Sequence, residues 1–195
     1  MFALSYLDRH GIACVVGESE GKVSMKHSTR GTNFGLRESA YEGWINVEVA
    51  SGDVISVGDE SYLVISPEGS MGATFFTALK TNAVLDSQEE SWSEDDDGNP
   101  ILKWTSKASN ITSYGQIVTS ALRQTDPGIL NTTTRIYYLN APVKVLGRVI
   151  HHYSKEDVVD MGGFYESPGM KLKVDSIDDI MLPNVKRIQC SNDTR

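Results

Sequence analysis

Residues 52–82 read GDVISVGDESYLVISPEGSMGATFFTALKTN. β-Branched and aromatic residues fill the runs, while Gly58-Asp59 and the 67–70 segment PEGS supply turn chemistry. The stretch therefore predicts strand, turn, strand, turn, strand. Residues 157–192, DVVDMGGFYESPGMKLKVDSIDDIMLPNVKRIQCSN, echo it. The segment YLVIS at 62–66 lines up with LKVDS at 172–176, and Asn82 with Asn192, both at an offset of 110. Asp53 and Asp157 differ by 104, so the second copy is expected to hold six extra residues, in a longer hairpin near 165–170.

Working outward, the first half predicts about six short strands with turns every 8–12 residues, and no helical pattern of 10 or more residues between them. That argues against βαβ units. Residues 2–10 predict one or two helical turns, ended by Gly11 in a left-handed cap, and too short to stand undocked. Residues 12–16 and 22–29 predict a hairpin, and 44–49 a half-buried strand. Residues 101–105, 114–123, 133–139 and 143–153 predict further strands. The expected fold is mainly β: two related small antiparallel β-barrel or sandwich units joined by an acidic loop. The first unit is placed at 1–86, a linker or hairpin tip at 87–100, and the second unit at 101–195.

Of the formal charge of −8, the run 86–97 holds seven acidic residues and no basic one. The other residues, 19 acidic and 18 basic, nearly balance. No basic footprint for nucleic-acid phosphates stands out. Cys14 and Cys190 lack the number and spacing of a disulfide framework or zinc site and read as buried thiols. No run approaches 18 apolar residues. The opening MFALSYLDRHGIACVV lacks a basic n-region, so folding in a reducing cytosol is expected.

A search for reactive chemistry gives little. Gly17-Glu18-Ser19-Glu20-Gly21 matches the nucleophile-elbow letters but lies in an acidic hairpin turn with no helix after it. The Asp95-Asp96-Asp97-Gly98 segment fails as an EF-hand, because Ser93 and Trp104 occupy its first and last ligand positions. His151 and His152 point to opposite faces of a strand and cannot chelate one ion by themselves. No enzyme activity, cofactor or metal is expected. The candidate interaction residues are Arg30, Phe34, Arg37 and Tyr41 in a long loop at 30–43, Pro67, Glu68 and Met71 at a hairpin tip, and Asp95, Asp96 and Asp97 in the acidic run.

The Gly-Asp-x-Ile segment, the strand SYLVIS and the strand ending in ALKTN resemble the small β-barrel of tailed-bacteriophage neck proteins, of the head-closure or head–tail connector type. The ending VDSIDDIMLPNVKRIQCSNDTR is similar to the closing strands of such proteins, and YLDRHGIACVV to their opening. The familiar single-barrel closure proteins are about half as long as this chain, a departure from the pattern. The resemblance implies a structural virion protein that joins the portal side of the DNA-filled head to the tail, assembles as a ring and helps form the DNA channel. Its implied partners are copies of itself, portal or adaptor proteins and tail proteins. Double-stranded DNA would pass without sequence-specific contact, no membrane is involved, and the location is the virion, assembled in the host cytoplasm. The alternatives are a tail or baseplate subunit, or a carbohydrate-binding β-sandwich that would use Trp44, Trp92 and Trp104.

Overall fold

A computed structural model describes residues 2–28, 39–70, 72–152 and 169–194. Helix α1 (Phe2–His10) precedes β1 (Ile12–Val16), β2 (Ser19–His27), β3 (Ala40–Ile45), β4 (Val54–Val57), β5 (Glu60–Ser70) and β6 (Ala73–Lys80). Then come β7 (Ala83–Glu94), β8 (Pro100–Ile117), α2 (Ser120–Thr125), β9 (Arg135–Asn140), β10 (Arg148–His152), β11 (Met170–Leu182) and β12 (Val185–Asn192).

The strands close two antiparallel barrels. The first runs β1-β2-β3-β6-β5-β4 and returns to β1; the second runs β7-β8-β9-β12-β11-β10 and returns to β7. Both are two three-stranded meanders joined to each other at both edges, in the same strand order. The expected repeat is real at the level of register. Tyr62–Ser66 lies on the fifth strand of one barrel and 172–176 on the fifth strand of the other. Both strands skip one residue against the sixth strand at the same place, Ile65 and Asp175. The Val64 N–H donates to the Asp53 carbonyl at 2.8 Å, as the Val174 N–H does to Gly147 at 2.9 Å.

Those pairs correct two alignments. The counterpart of Asp53 is Gly147, and Asp157 lies outside the described residues. Val54 and Arg148 are equivalent at an offset of 94, Leu63 and Lys173 at 110, so the second copy is longer by sixteen residues between its fourth and fifth strands, not six. Lys80 opposes Tyr62 as Asn192 opposes Leu172, so Asn82 is not the counterpart of Asn192. Two further residues are absorbed by the irregularity between Asp178 and Leu182.

Each barrel has its own interior. Val16, Val23, Ile45, Ile55, Val64 and Phe76 fill the first; Leu85, Tyr137, Leu139, Val149, Leu172 and Ile188 fill the second. A third cluster lies between them: Ala40, Leu63 and Leu79 from the first barrel meet Tyr114, Ile136, Tyr138 and Val185 from the second. Alternation supplies both sides of one strand, since Tyr137 and Leu139 face inward and Ile136 and Tyr138 face the other barrel. Double-sided burial explains why β9 is apolar without a break from Ile136 to Leu139.

Backbone polar groups at the junction are also matched. The Asn82 side chain accepts the Gly115 N–H at 2.7 Å and donates to its carbonyl at 2.9 Å, as a neighbouring strand residue would. Gly52 sits at φ +94°, and a Cβ there would meet the Asn184 carbonyl oxygen at 2.3 Å. The quoted stretch thus opens on a glycine because the two barrels touch there.

Several local expectations are corrected. The acidic stretch is a hairpin tip within the second barrel rather than a linker: Asp86 and Ser87 lie in β7, and the chain passes between barrels at Thr81-Asn82. Residues 101–105 and 114–117 belong to one strand, β8, while 120–125 form α2, capped by the Thr119 hydroxyl accepting the Leu122 N–H. Glu68 and Gly69 continue β5, and its turn falls after Ser70. Pro67 is tolerated because β4 has already ended beside it, leaving no ladder N–H to supply on that edge. Gly11 closes α1 by donating to the Leu7 carbonyl, without the left-handed conformation; a Cβ there would meet that oxygen at 2.5 Å.

Two outcomes follow. Leu79→Ala, at a fully buried junction position, is expected to cost about 2–5 kcal/mol. Calorimetry should show the wild type unfolding in one transition and the variant with a broadened or split one. Burial holds the Cys190 thiol and the Tyr62 and Tyr138 phenols above their ordinary values of 9.0 and 10.0. The unfolded chain then releases protons that the folded chain keeps, so stability is full below about pH 9 and falls as pH rises above it. Urea midpoints at pH 8, 9.5 and 10.5 test this.

Candidate interaction surface

The two barrels differ most in the hairpin between their first two strands. In the first, β1 turns at Gly17-Glu18 directly after Val16, which stands opposite Ile55. In the second, Ser87 stands opposite Val149, the counterpart of Ile55, but the ladder runs on from Gln88–Ser106 to Glu94–Pro100. Gln88 still pairs with Arg148 of β10; beyond it β7 and β8 pair only with each other among the described residues. The result is a two-stranded arm of six residues a side, from Glu89–Thr105 to Glu94–Pro100, about 20 Å long.

Period-2 alternation sorts the arm. Glu90, Trp92 and Glu94 share a face with their cross-strand partners Trp104, Leu102 and Pro100. Trp92 is 65 % exposed. Trp104, nearer the root, is covered by the Arg148 guanidinium, whose carbon lies 3.7 Å from the ring centroid. Arg148 Nε in turn donates to Asp193 Oδ2 at 2.8 Å, and these side chains are only 3 % and 1 % exposed. The charge is taken out of water but doubly matched, by a carboxylate and an aromatic face, and it fixes the arm to the C-terminal segment. Asp86 adds a second tie: its carboxylate accepts the Asn110 N–H at 2.8 Å in the bulge of β8 and lies 2.9 Å from His152 Nε2.

At the arm's tip the three aspartates separate in role. The Asp95 carboxylate accepts the N–H groups of Asp97 and Asn99 at 3.0 and 2.7 Å and the Asn99 amide at 3.0 Å. Those bonds, the Asn99 N–H foremost, hold its pKa below the usual carboxylate value. Gly98 completes the turn at φ +81°. Asp96 and Asp97 are exposed. Asp95 builds the turn, whereas the other two present charge.

A second apolar projection lies beside the junction. Asp178 Oδ1 accepts the N–H groups of Ile180 and Met181 at 3.0 and 3.3 Å, turning both side chains outward. Ile180 is 89 % exposed. The first barrel offers the opposite shape. Between α1 and the outer face of β2, β3 and β6 runs a groove of about 530 Å³. Tyr6, Met25, Trp44 and Phe75 line it, with the Trp44 and Phe75 rings edge to face at 5.2 Å. Lys26 stands on its rim, 3.3 Å from Glu42. An adjoining depression shares Tyr6 with Arg9 and His10.

Of the residues singled out from sequence, Arg30, Phe34, Arg37 and Met71 lie outside the described residues. Tyr41 packs against the first interior, its ring 5.1 Å from Tyr62 and 5.4 Å from His27. Pro67 and Glu68 stand opposite Phe76 and Phe75, with Glu68 exposed. The groove aromatics were legible as the outward positions of alternating strands, but the Trp104–Arg148–Asp193 stack joins three distant segments and left no local signal. His151 and His152 do take opposite faces, toward Tyr137 and Asp86. Ser19 of the nucleophile-elbow letters starts β2, with a strand after it. Among the described residues no three His, Cys, Asp or Glu side chains gather as a metal site, and no helix is long and apolar enough to cross a membrane. No family model matches the chain, and no curated protein or solved structure shows detectable similarity to it.

Asp193→Ala removes the carboxylate that the buried Arg148 Nε meets, and is expected to cost about 3–5 kcal/mol. Urea denaturation measures it; a loss below about 1 kcal/mol would mean that solvent reaches the pair.

Proposed function

We propose that the chain is a structural subunit of a tailed-phage neck, forming a ring between the portal side of the head and the tail through which DNA passes. The observation that carries this reading is a duplicated barrel whose halves share a core, leaving the arm and the apolar projections outside it for contacts with other subunits. Closed barrels have no free sheet edges, so they suit lateral repetition without runaway strand pairing. A rigid subunit with differently shaped surfaces associates head to tail, and such contacts close into rings when the rotation allows. The sequence resemblance adds the station in the virion. A carbohydrate-binding role is less well supported, since Trp44 packs on Phe75 and Trp104 under Arg148, so the tryptophans do not assemble into one flat platform.

The exposed Asp96 and Asp97 suit a surface that DNA must pass without adhering, because like charge repels phosphates. In this reading the tip faces the channel.

Purified protein mixed with the portal rings and, separately, the tail tubes encoded in the same genome tests the station by electron microscopy. Added density on the portal ring is expected. Density on tail tubes alone would move the protein to the tail, and binding to neither would remove the reading. Phage carrying Asp96→Asn with Asp97→Asn should eject DNA more slowly, most visibly at low salt; unchanged ejection takes the tip out of the channel.

A further inference from the structure

We infer that the β7–β8 arm of one copy seats in the α1 groove of the next, with Trp92 entering between Tyr6, Trp44 and Phe75. The inference rests on the ring reading above and names the contact that would make the ring.

Two unfinished surfaces on one chain carry it. The arm is a two-stranded ribbon, which is marginal in water without backing, and it holds Trp92 in solvent. The groove is an aromatic recess on the outer face of the first barrel, beside a short helix. Trp92 does not occupy this recess on its own chain, since it is exposed and the groove is lined by other residues.

Charge selects the pairing. On the arm, Glu90 and Glu94 flank Trp92 on the same face. Around the groove, Lys26 stands on the rim and Arg9 and His10 line the adjoining depression. The acidic arm thus meets an aromatic recess with Arg9 on one side and, on the other, Lys26 beside the Glu42 carboxylate that also lines the groove. Lys26 already has Glu42 as a neighbour, so Arg9 at the end of α1 supplies the less committed charge. Pairing arm against arm is disfavoured, because each arm carries Glu89, Glu90, Glu94, Asp95, Asp96 and Asp97 against Lys103 alone. The contact therefore joins unlike surfaces, and each copy uses its arm on one neighbour and its groove on the other.

A face about 20 Å long and about 10 Å wide falls well below the roughly 1,000 Å² of a stable interface. One such contact is weak. A closed ring gives every copy two, and closure makes the last contact intramolecular.

The test is sedimentation velocity of the full chain from about 10 μM to about 1 mM, bracketing weak contacts. The wild type should associate beyond dimer as concentration rises. Trp92→Ala and Tyr6→Ala both change exposed side chains, and each is expected to weaken association about thirtyfold. Circular dichroism should show both variants folded as the wild type. Mixed in equal amounts, they should give a dimer and nothing larger, since one retains a groove and the other an arm. The charge pair gives a second measurement: Glu94→Arg and Arg9→Glu should each weaken association, and the double variant should recover it. A monomeric wild type, association indifferent to Trp92→Ala, or a mixture that stays monomeric would each overturn the contact. Portal-ring binding by a wild type that stays monomeric would leave the neck reading standing without this contact. A working arm-and-groove pair with no portal binding would leave the contact standing without the neck reading.

Discussion

The structure depends on strands that are buried on both faces. β5, β6 and β9 each send alternate side chains into a barrel interior and the others into the seam between barrels. A barrel of about 90 residues buries a modest core, and the outward residues Leu63, Leu79, Ile136 and Tyr138 would be exposed apolar surface on an isolated unit. Joining the units removes that surface from water and enlarges both cores together. The seam also needs its backbone groups satisfied, which is why the Asn82 amide, the Ser51 hydroxyl donating to the Pro183 carbonyl, and Gly52 without a Cβ occur where the barrels touch.

The two copies show which features belong to the fold and which were added. Strand order, the skipped residue in the fifth strand and the hydrogen bond from Val64 or Val174 recur in both. Among the described residues, α1, the arm and the outward turn at Ile180 each occur in one copy only. They carry two of the three most exposed large apolar side chains, Ile180 and Trp92, and the arm carries most of the net charge. Two interior positions keep their type rather than their letters, Cys14 matching Leu85 and Ile55 matching Val149, while Val16 is matched by the buried Ser87 where the arm begins.

The repeat was legible because the fifth strand kept one register and one offset. The sixth strand misled by two residues, since Asn82 and Asn192 match as letters while the ladder sets Lys80 against Asn192. The acidic arm was hard to read as strand because both of its faces meet solvent, so its alternation carries no clear apolar side. The helix at 120–125 was hidden within a run that continues β8 in sequence, and only the cap at Thr119 marks the change. Of the surface residues, the Asp95–Gly98 tip was visible as turn chemistry, whereas the turn read at 67–70 lies in β5. The groove required knowing which strands lie side by side, β3 with β6 and α1 across them, and that is a property of closure rather than of any one segment.

The place where the arm leaves the barrel has a quieter twin. In the first unit the same station is occupied by Gly17 at φ +58°, with no heavy atom within 4 Å of where its Cβ would stand. One half of the molecule has elongated that hairpin into a limb and the other has left it as a stub, with the closed wall beneath essentially the same. The position behaves as a port: length can be spliced in or trimmed there without asking the wall to change its weave. A lineage of such proteins could vary its reach, and so its choice of neighbours, while inheriting the barrels intact.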